Sequence, residues 1–279
     1  DSVNELHNPE NIGKYKSSFY QRLVFDEIFS SFLVHSEIRK KIKKIKKKNK
    51  SFSMIEQSKF ISKLKFKLTK DQIKTLDEIN KDLTSNQKMF RLLQGDVGSG
   101  KTIVALISAL NVINSGFQVA VMAPTEILSR QHFSLAKKLF ESSINMNLLS
   151  SKSEYKERKT ILSDLKDHKI DIIFGTHSIF QKKVEFKNLG LIIIDEQHKF
   201  GVNQRKKLSD KGGINCDVLL MSATPIPRTL TMTIYGDMDL SIINEKPKSR
   251  KEVITYTKLD TKINEVIKFV KKEIKNGNQ

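Results

Sequence analysis

The sequence predicts an α/β fold, a parallel β-sheet covered by helices on both faces and preceded by a long basic helix. Three observations carry this. Short, almost continuously apolar runs recur between residues 65 and 243; helix-length segments separate most of them; and a glycine-rich motif, Gly95-Asp96-Val97-Gly98-Ser99-Gly100-Lys101-Thr102, joins one run to one helix. Unbroken apolar runs mark strands buried on both faces. Strand–helix alternation marks parallel pairing, because each connection must cross back over a face of the sheet.

The chain opens with Phe25, Ile28, Phe29 and Phe32, then Ile38, Ile42 and Ile45, and these spacings predict one amphipathic helix reaching about Lys50. Arg39, Lys40, Lys41, Lys43, Lys44, Lys46, Lys47, Lys48 and Lys50 crowd its later turns with no acid among them. They read as the solvated outer face of a connecting helix, with a face that tracks DNA as the alternative. Strands are expected at Phe90–Leu93, Gln118–Ala123, Asn145–Leu149, Ile170–Gly175, Leu189–Ile194 and Asp217–Met221. Helices are expected at Lys101–Asn114, Glu126–Phe140 and Glu154–Leu165. Lys246-Pro247-Lys248-Ser249-Arg250 reads as a linker, followed by a strand-like Val253–Thr257 and a helix from about Thr261. The expected organisation is a helical connector at 1–64, a nucleotide-binding domain at 65–243, and a linker with the start of another domain at 244–279.

The 279 residues hold 50 Lys and Arg against 31 Asp and Glu, a net charge of +19 with pI near 9.8. Such a balance favours a polyanionic partner, which is bound with release of counterions. Abundant Lys, Asn and Ile are also what an AT-rich genome produces, so charge alone does not assign a partner. The single Cys216 excludes an internal disulfide, and its place in the apolar run Cys216–Met221 makes it a core residue rather than a nucleophile. No apolar stretch approaches the roughly 18 residues of a membrane span, and Asp1-Ser2-Val3 begins no signal pattern. The expectation is a cytoplasmic, monomeric protein trimmed at its front, with no membrane partner.

Gly95–Thr102 has the pattern G-x-x-x-x-G-K-T between an apolar strand and a helix, the context of a phosphate-binding loop. Gly95, Asp96, Val97, Gly98, Ser99 and Gly100 would turn successive N–H groups toward the phosphates of ATP, aided by the helix N-terminus. Lys101 would reach the β- and γ-phosphates, and the Thr102 hydroxyl would ligate Mg²⁺. Leu191-Ile192-Ile193-Ile194 then delivers Asp195 and Glu196 at a strand end. One carboxylate suits the metal, Asp195, and the other stays free as the base for water, Glu196. Gln197 and His198 follow, where hydrolysis would be relayed, and Ser222-Ala223-Thr224 past another buried strand would receive that relay. Gln72, ahead of the loop, is on chemistry alone one amide among several.

Five strings are long enough to carry a resemblance: Leu92–Thr102; Ala123-Pro124-Thr125-Glu126-Ile127-Leu128 with Gln131-His132; Gly175-Thr176-His177; Ile194–Val202 with Gln204-Arg205; and Met221–Leu230. Together they resemble the superfamily 2 helicases of the Asp-Glu-x-His class, and within them the RecG family of bacterial ATP-dependent DNA helicases. Gln197 separates the chain from the related transcription-repair coupling factors, which usually carry Glu there. Pro225-Ile226-Pro227-Arg228 argues against an RNA helicase, though both relatives stand as alternatives. The resemblance implies a RecA-like fold, ATP and Mg²⁺ as cofactors, and adenine contact by Gln72. It implies DNA-backbone contacts by Thr125, Gly175, Thr176 and His177, and phosphate or inter-domain contacts by Arg205 and Arg228. It implies branched double-stranded DNA as the partner, remodelled at stalled forks and Holliday junctions in recombination and repair. A wedge domain before the basic helix and a second motor domain bearing an arginine finger are implied as missing parts of the same protein. The lobe alone is therefore expected to bind Mg-ATP weakly and hydrolyse it slowly. Intact Lys101, Thr102, Asp195 and Glu196 disfavour a non-enzymatic DNA-binding module.

Overall fold

A computed structural model describes residues 18–140, 144–150, 155–181, 183–196, 213–224, 238–247 and 255–277. The chain divides into two compact units between Pro247 and Lys248. Among the described residues the larger holds seven strands: β1 (Phe90–Gly95), β2 (Gln118–Met122), β3 (Met146–Leu149), β4 (Ile172–Gly175), β5 (Leu189–Ile194), β6 (Asp217–Ser222) and β7 (Asp239–Ile243). They form one sheet in the order β3-β4-β2-β5-β6-β1-β7, and every pairing is parallel. Its helices are α1 (Ser18–Lys44), α2 (Met54–Ser62), α3 (Lys70–Thr84), α4 (Lys101–Asn114), α5 (Glu126–Phe140) and α6 (Tyr155–Lys166). The smaller unit carries α7 (Ile263–Lys275). Among the described residues no helix is long and apolar enough to cross a membrane.

Because side chains alternate across a strand, each apolar run feeds two cores at once. Leu93, Leu191, Ile193, Leu219 and Met221 pack with Leu76 and Ile79 of α3, Val104 of α4 and Ala136 of α5. Their sequence neighbours Leu92, Ile192, Ile194, Val218 and Leu220 pack on the other face with Ile161 and Leu165 of α6. Each such side chain contributes about 1.5–3 kcal/mol by burial. The two-sided demand explains why these strands are apolar throughout and were legible. Cys216 is buried at the head of β6, where burial pushes its thiol pKa up to about 12, as suits a core residue.

β7 is the strand that the apolar pattern does not announce. Among the described residues it pairs with β1 alone, with Ile242 outward and the polar Ser241 inward. The inward hydroxyl accepts from Arg91 at 2.8 Å and donates to Glu78. In the smaller unit, residues 255–257 are irregular rather than strand, while 253 and 254 lie outside the described residues. The helix expected from Thr261 begins at Ile263, after a short 3-10 turn at Asp260–Lys262.

The lysine run departs most from expectation. The helix stops at Lys44, and Lys46 forms an antiparallel bridge with Gln87. Two of the lysines read as solvated are instead buried against Asp217: Lys47 Nζ at 2.5 Å and Lys50 Nζ at 2.6 Å from Oδ2. Lys47 also donates to the Asp82 carbonyl at 2.9 Å, and Lys50 to the Asn215 carbonyl at 3.1 Å. The Lys50 ammonium lies 5.1 Å from the centre of the Phe117 ring. Asp217 Oδ1 accepts from Met89 N at 2.7 Å, so both oxygens are engaged. Burial pulls Lys47 below its ordinary pKa, against the attraction of Asp217. Such a group holds together only while its hydrogen bonds are complete.

Asp217→Asn leaves two buried ammonium groups facing a neutral amide. It is expected to cost about 3–5 kcal/mol, read as a lower urea midpoint. A midpoint equal to that of the unaltered protein would show that the two lysines are not held by this carboxylate.

Candidate functional site

The site is built where β1 gives way to α4. Gly98 and Gly100 take left-handed φ values of 80° and 88°, which let the chain turn tightly between strand and helix. A Cβ on Gly100 would lie 2.2 Å from Gln72 Nε2, and one on Gly95 would lie 2.9 Å from the Ile243 carbonyl. Glycine is thus required twice over, by backbone angle and by close approach. Ser99 N donates to the Asp96 carbonyl at 3.0 Å, closing the loop, while the buried Ser99 hydroxyl has no partner.

Lys101 folds over this loop, its ammonium donating to the carbonyls of Gly95 at 2.6 Å and Asp96 at 3.0 Å. Burial lowers its pKa, and the carboxylates of Asp195, Glu196 and Asp96 oppose that shift. The two halves predicted from separate motifs therefore sense each other's charge. Thr102 stands in the first turn of α4.

Gln72 stands beside the phosphate loop. It is buried at the start of α3 in a capping box: Gln72 N donates to Thr69 Oγ1 at 3.3 Å, and Thr69 N donates to Gln72 Oε1 at 2.9 Å. Its Nε2 then donates to the Ser99 carbonyl at 2.7 Å. One amide thus ties the helix start to the phosphate loop. Next to it, Asp71 Oδ2 accepts the backbone N–H of Asn244 at 2.8 Å and of Glu245 at 3.0 Å, where the chain leaves β7.

Asp195 and Glu196 emerge at the end of β5. Asp195 N donates to the Met122 carbonyl at 2.8 Å, and Glu196 turns the chain with a left-handed φ of 51°. That conformation costs a residue with a Cβ about 1–2 kcal/mol. Asp195 Oδ1 accepts from Glu196 N at 3.1 Å, and Oδ2 lies 2.7 Å from His132 Nε2 on α5. The sequence motifs assign no chemistry to His132. The available signal was its position on the buried stripe Ser129, His132, Ala136 and Phe140 of a helix that follows β2, the neighbour of β5.

β6 lies between β1 and β5, so the turn after it separates the phosphate loop from the carboxylates. There Ser222 Oγ and Thr224 Oγ1 are 2.8 Å apart, and the Thr224 carbonyl accepts from Gln94 Nε2 at 3.2 Å. Gln197 and His198, the expected other half of the relay, lie outside the described residues, as do Arg205 and Arg228.

The nucleic-acid candidates sit on the β2–β4 side of the same edge. The Thr125 hydroxyl accepts from Leu128 N at 3.3 Å and so caps α5. Ala123 N donates to the Gly175 carbonyl at 3.0 Å, joining the two loops. A Cβ on Gly175 would lie 2.8 Å from the Leu149 carbonyl. Thr176 Oγ1 is 3.4 Å from Ser178 Oγ, and His177 opens a 3-10 turn through Phe180.

A family model for DEAD/DEAH box helicases matches residues 69–233, well over half of the chain. The chain belongs to the DEAD/DEAH box helicase family. The ATP-dependent DNA helicase RecG of Aquifex aeolicus is 46% identical over 284 residues, covering 99% of this chain and 36% of that protein. RecG of Bacillus subtilis is 44% identical over 281 residues, covering 100% of this chain and 41% of that protein. The chain thus spans well under half the length of these relatives. A structure of RecG bound to a three-way DNA junction superposes with a TM-score of 0.83 at 41% identity, covering 92% of this chain and 35% of that one. The helicase MrfA bound to DNA, at 16% identity and a TM-score of 0.58 over 83% of this chain and 36% of that one, shares the fold. The RecA-like architecture with its helix-covered parallel sheet is as expected.

Membership in this helicase family implies ATP and a divalent metal, and the residues present fit both. Left-handed glycines leave a cradle that a Cβ would fill, a buried serine hydroxyl lacks a partner, and an ammonium rests on loop carbonyls opposite a strand-end carboxylate. Gly100→Ala is expected to push Gln72 off Ser99, lower stability by about 1–2 kcal/mol and weaken nucleotide binding. Thermal melts and titration with a fluorescent nucleotide check this; unchanged affinity would show that Gln72 and Gly100 do not shape the loop.

Proposed function

We propose that this chain is the nucleotide-binding lobe of a RecG-type DNA helicase, an ATP-driven translocase that remodels branched double-stranded DNA such as stalled forks and Holliday junctions. The observation that carries this reading is the pairing of the phosphate loop with Asp195 and Glu196 across the β6 turn, with the charge of Lys101 in the field of both carboxylates. Mg-ATP, when bound, supplies the phosphoanhydride whose cleavage drives the cycle.

The residues divide the work by chemistry. Gly95, Asp96, Val97, Gly98, Ser99 and Gly100 offer backbone N–H groups to phosphate oxygens, and the α4 N-terminus adds its partial positive charge. The Lys101 ammonium, already stripped of much water, trades its loop carbonyls for phosphate. Thr102 and Asp195 would hold Mg²⁺, and Glu196 would orient a water and take its proton. Gln72 would contact adenine while its amide also touches the Ser99 carbonyl, which would link the loop to the base. Gln197 and His198 pass the state of the site to Ser222 and Thr224. Thr125, Gly175, Thr176 and His177 bind the DNA backbone through hydroxyl and N–H groups at strand ends, and Arg205 and Arg228 contact phosphate or the second motor domain.

Removing the Lys101 ammonium should remove most nucleotide affinity. Lys101→Ala is expected to abolish detectable binding of a fluorescent ATP analogue; an unchanged dissociation constant would refute the role of Lys101. The residues assigned to ATP among these 279 include no arginine finger, a group worth about 10³–10⁵ in rate. Isolated, the chain is expected to turn over ATP far more slowly than one per second, with or without DNA. In the intact protein a three-way DNA junction should stimulate hydrolysis more than an RNA duplex does; the reverse order would favour an RNA helicase.

A further inference from the structure

We infer that His132 is a positioning residue, which fixes the Asp195 carboxylate for metal binding and ties it to helix α5. The inference rests on the reading of Asp195 as the metal carboxylate. Both side chains are buried, and His132 Nε2 lies 2.7 Å from Asp195 Oδ2. The other oxygen, Oδ1, accepts from Glu196 N at 3.1 Å. A carboxylate torsion is intrinsically broad and two-fold. Here each oxygen is engaged by a different element, one by the strand's own turn and one by a neighbouring helix, so the plane of the group is set. Each oxygen keeps a second lone pair for the metal or its water.

The donor's location matters as much as its distance. β2 pairs with β5, so the helix following β2 starts beside the end of β5, and His132 on it meets Asp195 there. α5 is rooted at its start, where the Thr125 carbonyl accepts from Ser129 N at 3.0 Å and Glu126 Oε1 accepts from Ser150 Oγ and Arg130 Nη2, each at 2.7 Å. His132 stands about two turns further along, roughly 10 Å of axial rise from Thr125. A rigid helix therefore joins the Thr125 loop to one oxygen of Asp195. Groups that hold a metal-binding carboxylate from behind commonly govern metal affinity by about 10–100-fold.

The test compares two amides that differ only in reach. The nitrogen of Gln lies as many bonds from Cβ as Nε2 does, whereas that of Asn falls one carbon short. In the intact protein, His132→Asn is expected to raise the half-saturating Mg²⁺ concentration for binding of a fluorescent ADP by about tenfold or more, while ADP affinity in EDTA stays unchanged. His132→Gln is expected to stay near the unaltered value. Asp195→Asn is measured alongside. A shift in Asp195→Asn with none in His132→Asn overturns the role of His132 and leaves the metal reading standing. Equal shifts in the Asn and Gln variants also overturn it, because the hydrogen bond would then be irrelevant. No shift in Asp195→Asn removes the metal reading and the inference with it.

Discussion

Parallel pairing is the constraint from which the rest follows. Seven strands running one way must each end on the same edge of the sheet, and every return crosses a face as a helix or loop. The loops at the carboxyl edge leave the ladder together, and their N–H groups, hydroxyls and carboxylates accumulate there. Gly95, Met122, Gly175, Ile194 and Ser222 are the last residues of five strands, and each is followed within three residues by a candidate functional group. The order of those strands refines this. With β6 inserted between β1 and β5, the phosphate loop and the acidic pair are kept one strand apart, and Ser222 and Thr224 occupy the gap.

Legibility followed the number of demands placed on each residue. Leu189–Ile194 was readable to the residue because both faces of β5 are buried and nothing polar is tolerated. The helices Lys101–Asn114 and Glu126–Phe140 were readable because a glycine loop or a Pro-Thr turn starts each and a periodic apolar stripe runs through it. β7 was missed because its inward serine belongs to an Arg91–Glu78 network that no local pattern reveals. Lys47 and Lys50 were misplaced because their partner, Asp217, is some 170 residues away in sequence. His132 was passed over for the same reason: its carboxylate lies on another strand, 63 residues on.

The candidate site divides in the same way. Lys101, Thr102, Asp195 and Glu196 follow from motifs whose chemistry is local, since the strand end and helix start that present them adjoin them in sequence. Gln72 is a case in which motif and structure supply different halves. Its residue type suggests an amide that reads a base, but its surroundings show the same amide holding a helix cap and a loop carbonyl together. The high formal charge was a poor guide to position. The two buried lysines anchor the amino-terminal edge, opposite the loops, and one more is withdrawn into the phosphate loop.

The contact between Asp71 and the chain leaving β7 has a mechanical consequence. One residue of α3 grips the departing backbone at Asn244 and Glu245, and the next grips Ser99 in the loop. The exit path and the nucleotide cradle thus share a single fulcrum, one peptide unit wide.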